Sequence, residues 1–145
     1  MSPPNLHGTA LVLGDRGVLI LGPSGSGKST LALALISRFG RAACLVADDQ
    51  MLVRARAGRL ICAAPQAIRG LVEVHGVGPR PLAVQPEAVI DLAVRLVPAG
   101  ETRRLPEDEF EDVAGCRLPR LTVRERDALP ALMAVAARLC LPPFG

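Results

Sequence analysis

Eight residues constrain this chain more than any others. Gly22-Pro23-Ser24-Gly25-Ser26-Gly27-Lys28-Ser29 satisfies the pattern G-x-x-x-x-G-K-[ST] at every position. The apolar run 18–21 leads directly into it. Residues 29–39, rich in Ala and Leu and free of Pro and Gly, follow it and stop at Gly40. A strand, a glycine-rich loop and a helix in that order form an anion site. The glycines let several backbone N–H groups turn inward where a Cβ would obstruct the approach. Lys28 adds a positive charge for the β- and γ-phosphates, and the Ser29 hydroxyl is a ligand for Mg²⁺. The helix turns its positive N-terminus toward the same anion. Gly22, Pro23, Ser24, Gly25, Ser26, Gly27, Lys28, Ser29 and the adjoining Thr30 are therefore the expected nucleotide-binding residues.

The rest of the chain fits an α/β domain around that motif. Its 145 residues suit one domain, 1–145. With no Trp, no Tyr and three Phe, the core must come from Val, Leu, Ile and Ala, as in a buried parallel or mixed sheet flanked by helices. Residues 9–13 and 18–21 read as a hairpin across Gly14-Asp15-Arg16-Gly17. Residues 43–47 read as a buried strand, 51–56 and 59–63 as a second hairpin around Ala57-Gly58, and 71–74 as a short strand before Gly76-Val77-Gly78-Pro79. Residues 89–97 predict one strand, 101–112 a charged loop interrupted by Pro106, and 121–123 a short strand. A helix over 126–139, with Pro130 in its first turn, ends before Pro142-Pro143.

Composition excludes several functions. The net charge is +3, and the arginines are scattered with no interleaved aromatics, so a nucleic-acid surface is not expected. A basic site for a phosphorylated or acidic partner fits better. The apolar stretches are too short to span a membrane, and Met1-Ser2-Pro3-Pro4 does not open a signal peptide. A cytoplasmic location is the expectation. Cys44, Cys62, Cys116 and Cys140 have neither Cys-x-x-Cys nor zinc-finger spacing and read as buried thiols.

Asp48-Asp49 closes the strand after the loop helix. In a nucleotide fold that position lies beside the phosphates. One carboxylate can position Mg²⁺ and the other can accept a proton from an attacking hydroxyl. Spacing alone does not say which does which.

Taken together, these residues resemble the catalytic domain of the HPr kinase/phosphorylase family. Members phosphorylate a serine of the phosphocarrier protein HPr, and many also remove that phosphate. The matching pieces, in order, are His7-Gly8, the loop 22–29, Val46-Ala47-Asp48-Asp49, Glu73-Val74-His75-Gly76-Val77-Gly78 and Arg104-Leu105. The resemblance implies a short form, catalytic domain only, of alphaproteobacterial type. It implies a P-loop mixed sheet like that of phosphoenolpyruvate carboxykinase, use of ATP and Mg²⁺, HPr as partner, and a hexamer. It further implies roles. His7 joins the catalytic group and Lys28 holds the transferred phosphoryl. Asp49, with Asp48 beside it, takes the serine proton. Ser29, Asp48 and Glu73 form the Mg²⁺ set, and Arg104 stabilises developing charge.

The sequence departs from the family at two places. His75 stands where the signature has arginine, and an imidazole does not supply a fixed guanidinium charge. The family's Val-Arg-Pro-Gly-Arg-Asn, tied to dephosphorylation, reads here Val123-Arg124-Glu125-Arg126-Asp127-Ala128, which favours kinase over phosphorylase activity. A nucleotide-sensing module without transfer, and a small-molecule kinase, are the alternative readings.

Overall fold

The hairpin ahead of the glycine-rich loop forms as its turn chemistry predicts. β2 (Thr9–Leu13) and β3 (Arg16–Leu21) pair antiparallel, with Thr9 opposite Ile20 and Leu13 opposite Arg16. The computed structural model describes residues 5–66, 70–82, 84–102 and 108–145. β1 (Asn5–His7) precedes the hairpin, and α1 (Lys28–Phe39) follows the loop. Then come β4 (Ala43–Ala47), β5 (Gln50–Arg56), β6 (Arg59–Ala63), β7 (Leu71–Val74) and β8 (Gly78–Pro81). β9 (Glu87–Ile90), β10 (Leu92–Val97), β11 (Glu109–Val113), β12 (Cys116–Arg124) and α2 (Ala128–Arg138) complete the chain.

Three layers result. A six-stranded mixed sheet in the order β11-β12-β10-β3-β2-β4 lies in the middle. On one face it packs α1 through Leu31, Ala32 and Leu35, and α2 through Ala131, Leu132 and Val135. On the other it packs a four-stranded antiparallel sheet, β1-β5-β6-β9, whose Met51, Val53, Leu60 and Ile90 meet Ala10, Leu19, Val46 and Ala93. Both faces are buried, so the strands read as near-continuous apolar runs. This is the mixed sheet flanked by helices that the sequence predicts. Aliphatic side chains and alanine fill most of both cores, with Met51, Cys62 and Cys116 in one and the partly buried Phe39 against the other.

Strand direction places the site. β3, β10 and β12 are mutually parallel, and β4, antiparallel to β2, points the same way. The carboxyl ends of these strands therefore meet at one edge, where open α/β sheets bind ligands. The phosphate loop follows β3, Asp48-Asp49 follows β4, and residues 125–127 follow β12.

Some expectations change. The single strand 89–97 is two, broken at Asp91, whose carboxylate accepts the Gly17 N–H at 2.9 Å. The end of the expected loop 101–112 is instead the greater part of β11 (Glu109–Val113), an edge strand paired to β12. The short strand at 121–123 is the nine-residue β12. Of the cysteines, Cys62 and Cys116 are buried, Cys44 is half-buried and Cys140 is exposed; none forms a disulfide. Burial pushes the Cys62 thiol up to about 12. No helix among the described residues is long and apolar enough to cross a membrane.

Candidate functional site

The phosphate loop is held by its own backbone. The Ser26 N–H donates to the Pro23 carbonyl at 3.1 Å, and Gly25 and Gly27 lie at φ 79 and 96, a region that L side chains rarely adopt. Gly27 is the N-cap of α1, which has no side-chain cap and no acid in its first turn. Its leading N–H groups are thus left for an anion. Lys28 is buried, and its ammonium donates to the Gly22 carbonyl at 3.0 Å and the Pro23 carbonyl at 3.1 Å. An ammonium has three donors, so one remains for a phosphate oxygen. The Ser26 hydroxyl is fully buried and has no hydrogen-bond partner among the described residues.

Asp48 ties the loop helix to two strands. Its Oδ1 accepts the Ser29 hydroxyl at 2.7 Å and the Thr9 hydroxyl at 2.9 Å, and its Oδ2 accepts the Glu73 N–H at 3.2 Å. Those three donors compensate for its burial. Asp49 is in a different environment. It sits at φ 71, and the Gln50 N–H donates across it to the Asp48 carbonyl at 2.9 Å, closing a γ-turn. That backbone is strained for a non-glycine residue, and strain of this kind collects at functional sites. The turn sends the Asp49 carboxylate outward, where its Oδ1 lies 3.4 Å from His7 Nδ1. β1 pairs with β5 with His7 opposite Gln50, which holds the imidazole there.

Two adjoining pockets flank the loop. One, of about 620 Å³, is lined by Thr9, Lys28, Ser29, Asp48, Asp49 and Glu73. The other, of about 420 Å³, is lined by Leu31, Leu96, Arg124, Arg126, Asp127 and Ala131. Gly25, Gly27, Thr30 and His75 border both. Glu73 and His75 arrive on β7 and the turn into β8.

Most of the expected residues therefore converge. His7 faces Asp49, and Glu73 is exposed and lines the pocket with Asp48 and Asp49. Arg104 lies outside the described residues. The oxygen donors Ser29, Asp48 and Glu73 suit a hard divalent cation, which binds few protein groups and keeps several waters. Two residues at the site lie outside the expected set, Thr9 and Arg126. Thr9 carries no local signal, since its partner is 39 positions away. Arg126 reaches back 101 positions to the loop.

Comparison with known proteins gives one result throughout. The HPr kinase/phosphorylase of Caldicellulosiruptor bescii is 34% identical over 145 residues, spanning 90% of this chain and 46% of that protein. That of Burkholderia cenocepacia is 38% identical over 130 residues, 82% of this chain and 39% of that protein. The chain thus spans less than half the length of these relatives. The solved Hpr(Ser) kinase/phosphatase from Coxiella burnetii superposes with a TM-score of 0.79 at 27% identity, covering 94% of this chain and 95% of that one. The HPr Serine kinase C-terminal domain profile matches residues 2–138, and to that family the chain belongs.

Proposed function

We propose that this domain is a Mg²⁺- and ATP-dependent protein serine kinase acting on the phosphocarrier protein HPr. The observation that carries the reading is the link from the Ser29 hydroxyl through Asp48 to the Glu73 backbone, with Asp49 lining the same pocket and His7 beside Asp49. A loop match alone implies only phosphate binding. A buried carboxylate bonded to the loop serine, beside an exposed one, supplies what transfer also needs. The family membership and the relatives' names support the same acceptor.

In this reading each side chain has a task. The backbone of 22–29 and the free donor of Lys28 hold the β- and γ-phosphates. Ser29, Asp48 and Glu73 hold Mg²⁺, which neutralises charge on the phosphate oxygens. The apolar pocket beside Leu31 and Ala131 takes the nucleoside. Asp49 is the base. The serine oxygen forms a bond to the γ-phosphorus as the bond to the bridging oxygen breaks and ADP leaves. The serine proton passes to Asp49. His7 orients that carboxylate, and Arg104 would stabilise the charge spread over the transferred group. The 1–145 chain acts as one domain in this scheme.

The test is transfer itself. The protein incubated with ATP, Mg²⁺ and HPr yields phosphoserine on HPr by mass spectrometry, and Asp49→Ala does not. Absence of transfer by the unaltered protein sinks the proposal. His75, bordering both pockets where the family signature has arginine, favours a second reading as a nucleotide sensor. Tight ATP binding without transfer is its signature.

A further inference from the structure

Two consecutive peptide groups of the phosphate loop are gripped by one distant residue. The Arg126 backbone N–H donates to the Ser26 carbonyl at 3.0 Å, and its Nε donates to the Gly25 carbonyl at 2.9 Å. Arg126 stands at φ 56, between β12 and α2. An arginine in the left-handed region costs on the order of 1 kcal/mol, so its own chain does not favour the conformation that makes these contacts. Peptide planarity decides what the grip does. The Ser26 carbonyl and the Gly27 N–H share one plane and point in opposite directions. Drawing that carbonyl toward Arg126 turns the Gly27 N–H away from it. The Gly25 carbonyl is fixed in the same way, while the Ser26 N–H of its peptide is already committed to Pro23. Asp127 and Arg124 line the same pocket as Gly25, Gly27 and Arg126.

We propose that Arg126 is a positioning residue that preorganises the Gly25–Ser26–Gly27 peptides for the nucleotide's phosphates. The inference rests on the nucleotide-binding reading above. A loop fixed before the ligand arrives loses less entropy on binding. Removing the grip therefore weakens nucleotide affinity more than it slows the step at saturation.

Arg126→Gly isolates the side chain. Glycine accepts the left-handed backbone without cost and keeps the N–H on Ser26, so the variant should fold as well as the parent or better. Calorimetric titration of the full chain with Mg·ATP is expected to show a Kd raised on the order of tenfold. KM for ATP rises while kcat changes little, and the melting temperature is unchanged or higher. Arg126→Lys, which restores one charged donor, recovers part of the affinity. Wild-type affinity in Arg126→Gly overturns the proposal. So does a joint loss of melting temperature and binding that lysine does not repair. A parent protein that binds no Mg·ATP fails in the first arm, and there the nucleotide reading itself falls.

Discussion

Asp48 and Asp49 are neighbours in sequence and opposites in environment. Asp48 is buried under three donors, from Thr9, Ser29 and the Glu73 backbone. Asp49 projects toward solvent on a strained turn beside His7. Substitution by the isosteric amide separates them. Asp48→Asn turns an N–H toward groups that themselves donate, and is expected to lower stability by about 1–3 kcal/mol in urea unfolding. It also weakens binding of Mg·ATP. Asp49→Asn leaves stability in place, because asparagine tolerates the left-handed backbone as well as aspartate does. Its expected effect is on kcat for transfer to HPr, reduced about 10²–10⁴-fold as when a general base is removed. Equal effects at the two positions would contradict the assignment of Asp49 as base.

At the scale of elements, legibility followed the range of the forces involved. The run β3, loop, α1 was legible because its apolar strand, glycines and Ala/Leu helix are contiguous. β11 was not, because Glu109-Phe110-Glu111-Asp112 has the charge of a loop. Its acids face partners on other strands. Glu111 accepts Arg95 Nε at 3.1 Å and Arg120 Nη1 at 3.2 Å, and Glu109 accepts Arg120 Nη2 at 3.1 Å. Asp91 was hidden for the same reason, since its bond to Gly17 spans 74 positions. The β11 network has a pH signature. Burial alone would push Glu111 up, but hydrogen bonds and charge from Arg95 and Arg120 outweigh it and hold the carboxyl below its ordinary 4.5. A folded value below the unfolded one means the stabilisation is complete above about pH 4.5 and is lost as pH falls through the folded value. Glu111→Gln, leaving two arginines without their shared carboxylate, is expected to cost about 2 kcal/mol at pH 7, between the figures for exposed and buried pairs. Urea midpoints measured down the pH scale should show the wild type and the variant drawing together as pH falls from about 4.5 through the lower, folded value.

The molecule as a whole depends on holding a mixed sheet and an antiparallel sheet together so that both reach the edge where the site forms. The candidate site draws on both, since His7 comes from the four-stranded sheet and the phosphate loop from the six-stranded one. The joint lies at the far end of β3 from the loop. There the Asp91 N–H donates to the Gly17 carbonyl at 2.8 Å, Asp91 Oδ2 accepts the Gly17 N–H, and Asp91 Oδ1 accepts Arg59 Nη2 at 2.7 Å. β9 crosses Gly17 so closely that a methyl group there would stand 1.9 Å from the Val89 carbonyl oxygen and 2.8 Å from its carbon. Both are backbone atoms, so no side chain can rotate out of the way. Gly17→Ala must push the sheets apart or break the Asp91 bonds. The expected loss is roughly 3 kcal/mol, or roughly 10 °C in melting temperature for a chain of this size. The phosphate loop, at the opposite end of the strand, keeps its own hydrogen bonds. Below its melting transition the variant should therefore still bind Mg·ATP, while its contact between His7 and Asp49 loosens and transfer to HPr slows. Calorimetric melting with titration of the folded variant checks both halves. An unaltered melting temperature would mean that the two sheets are not joined through Gly17.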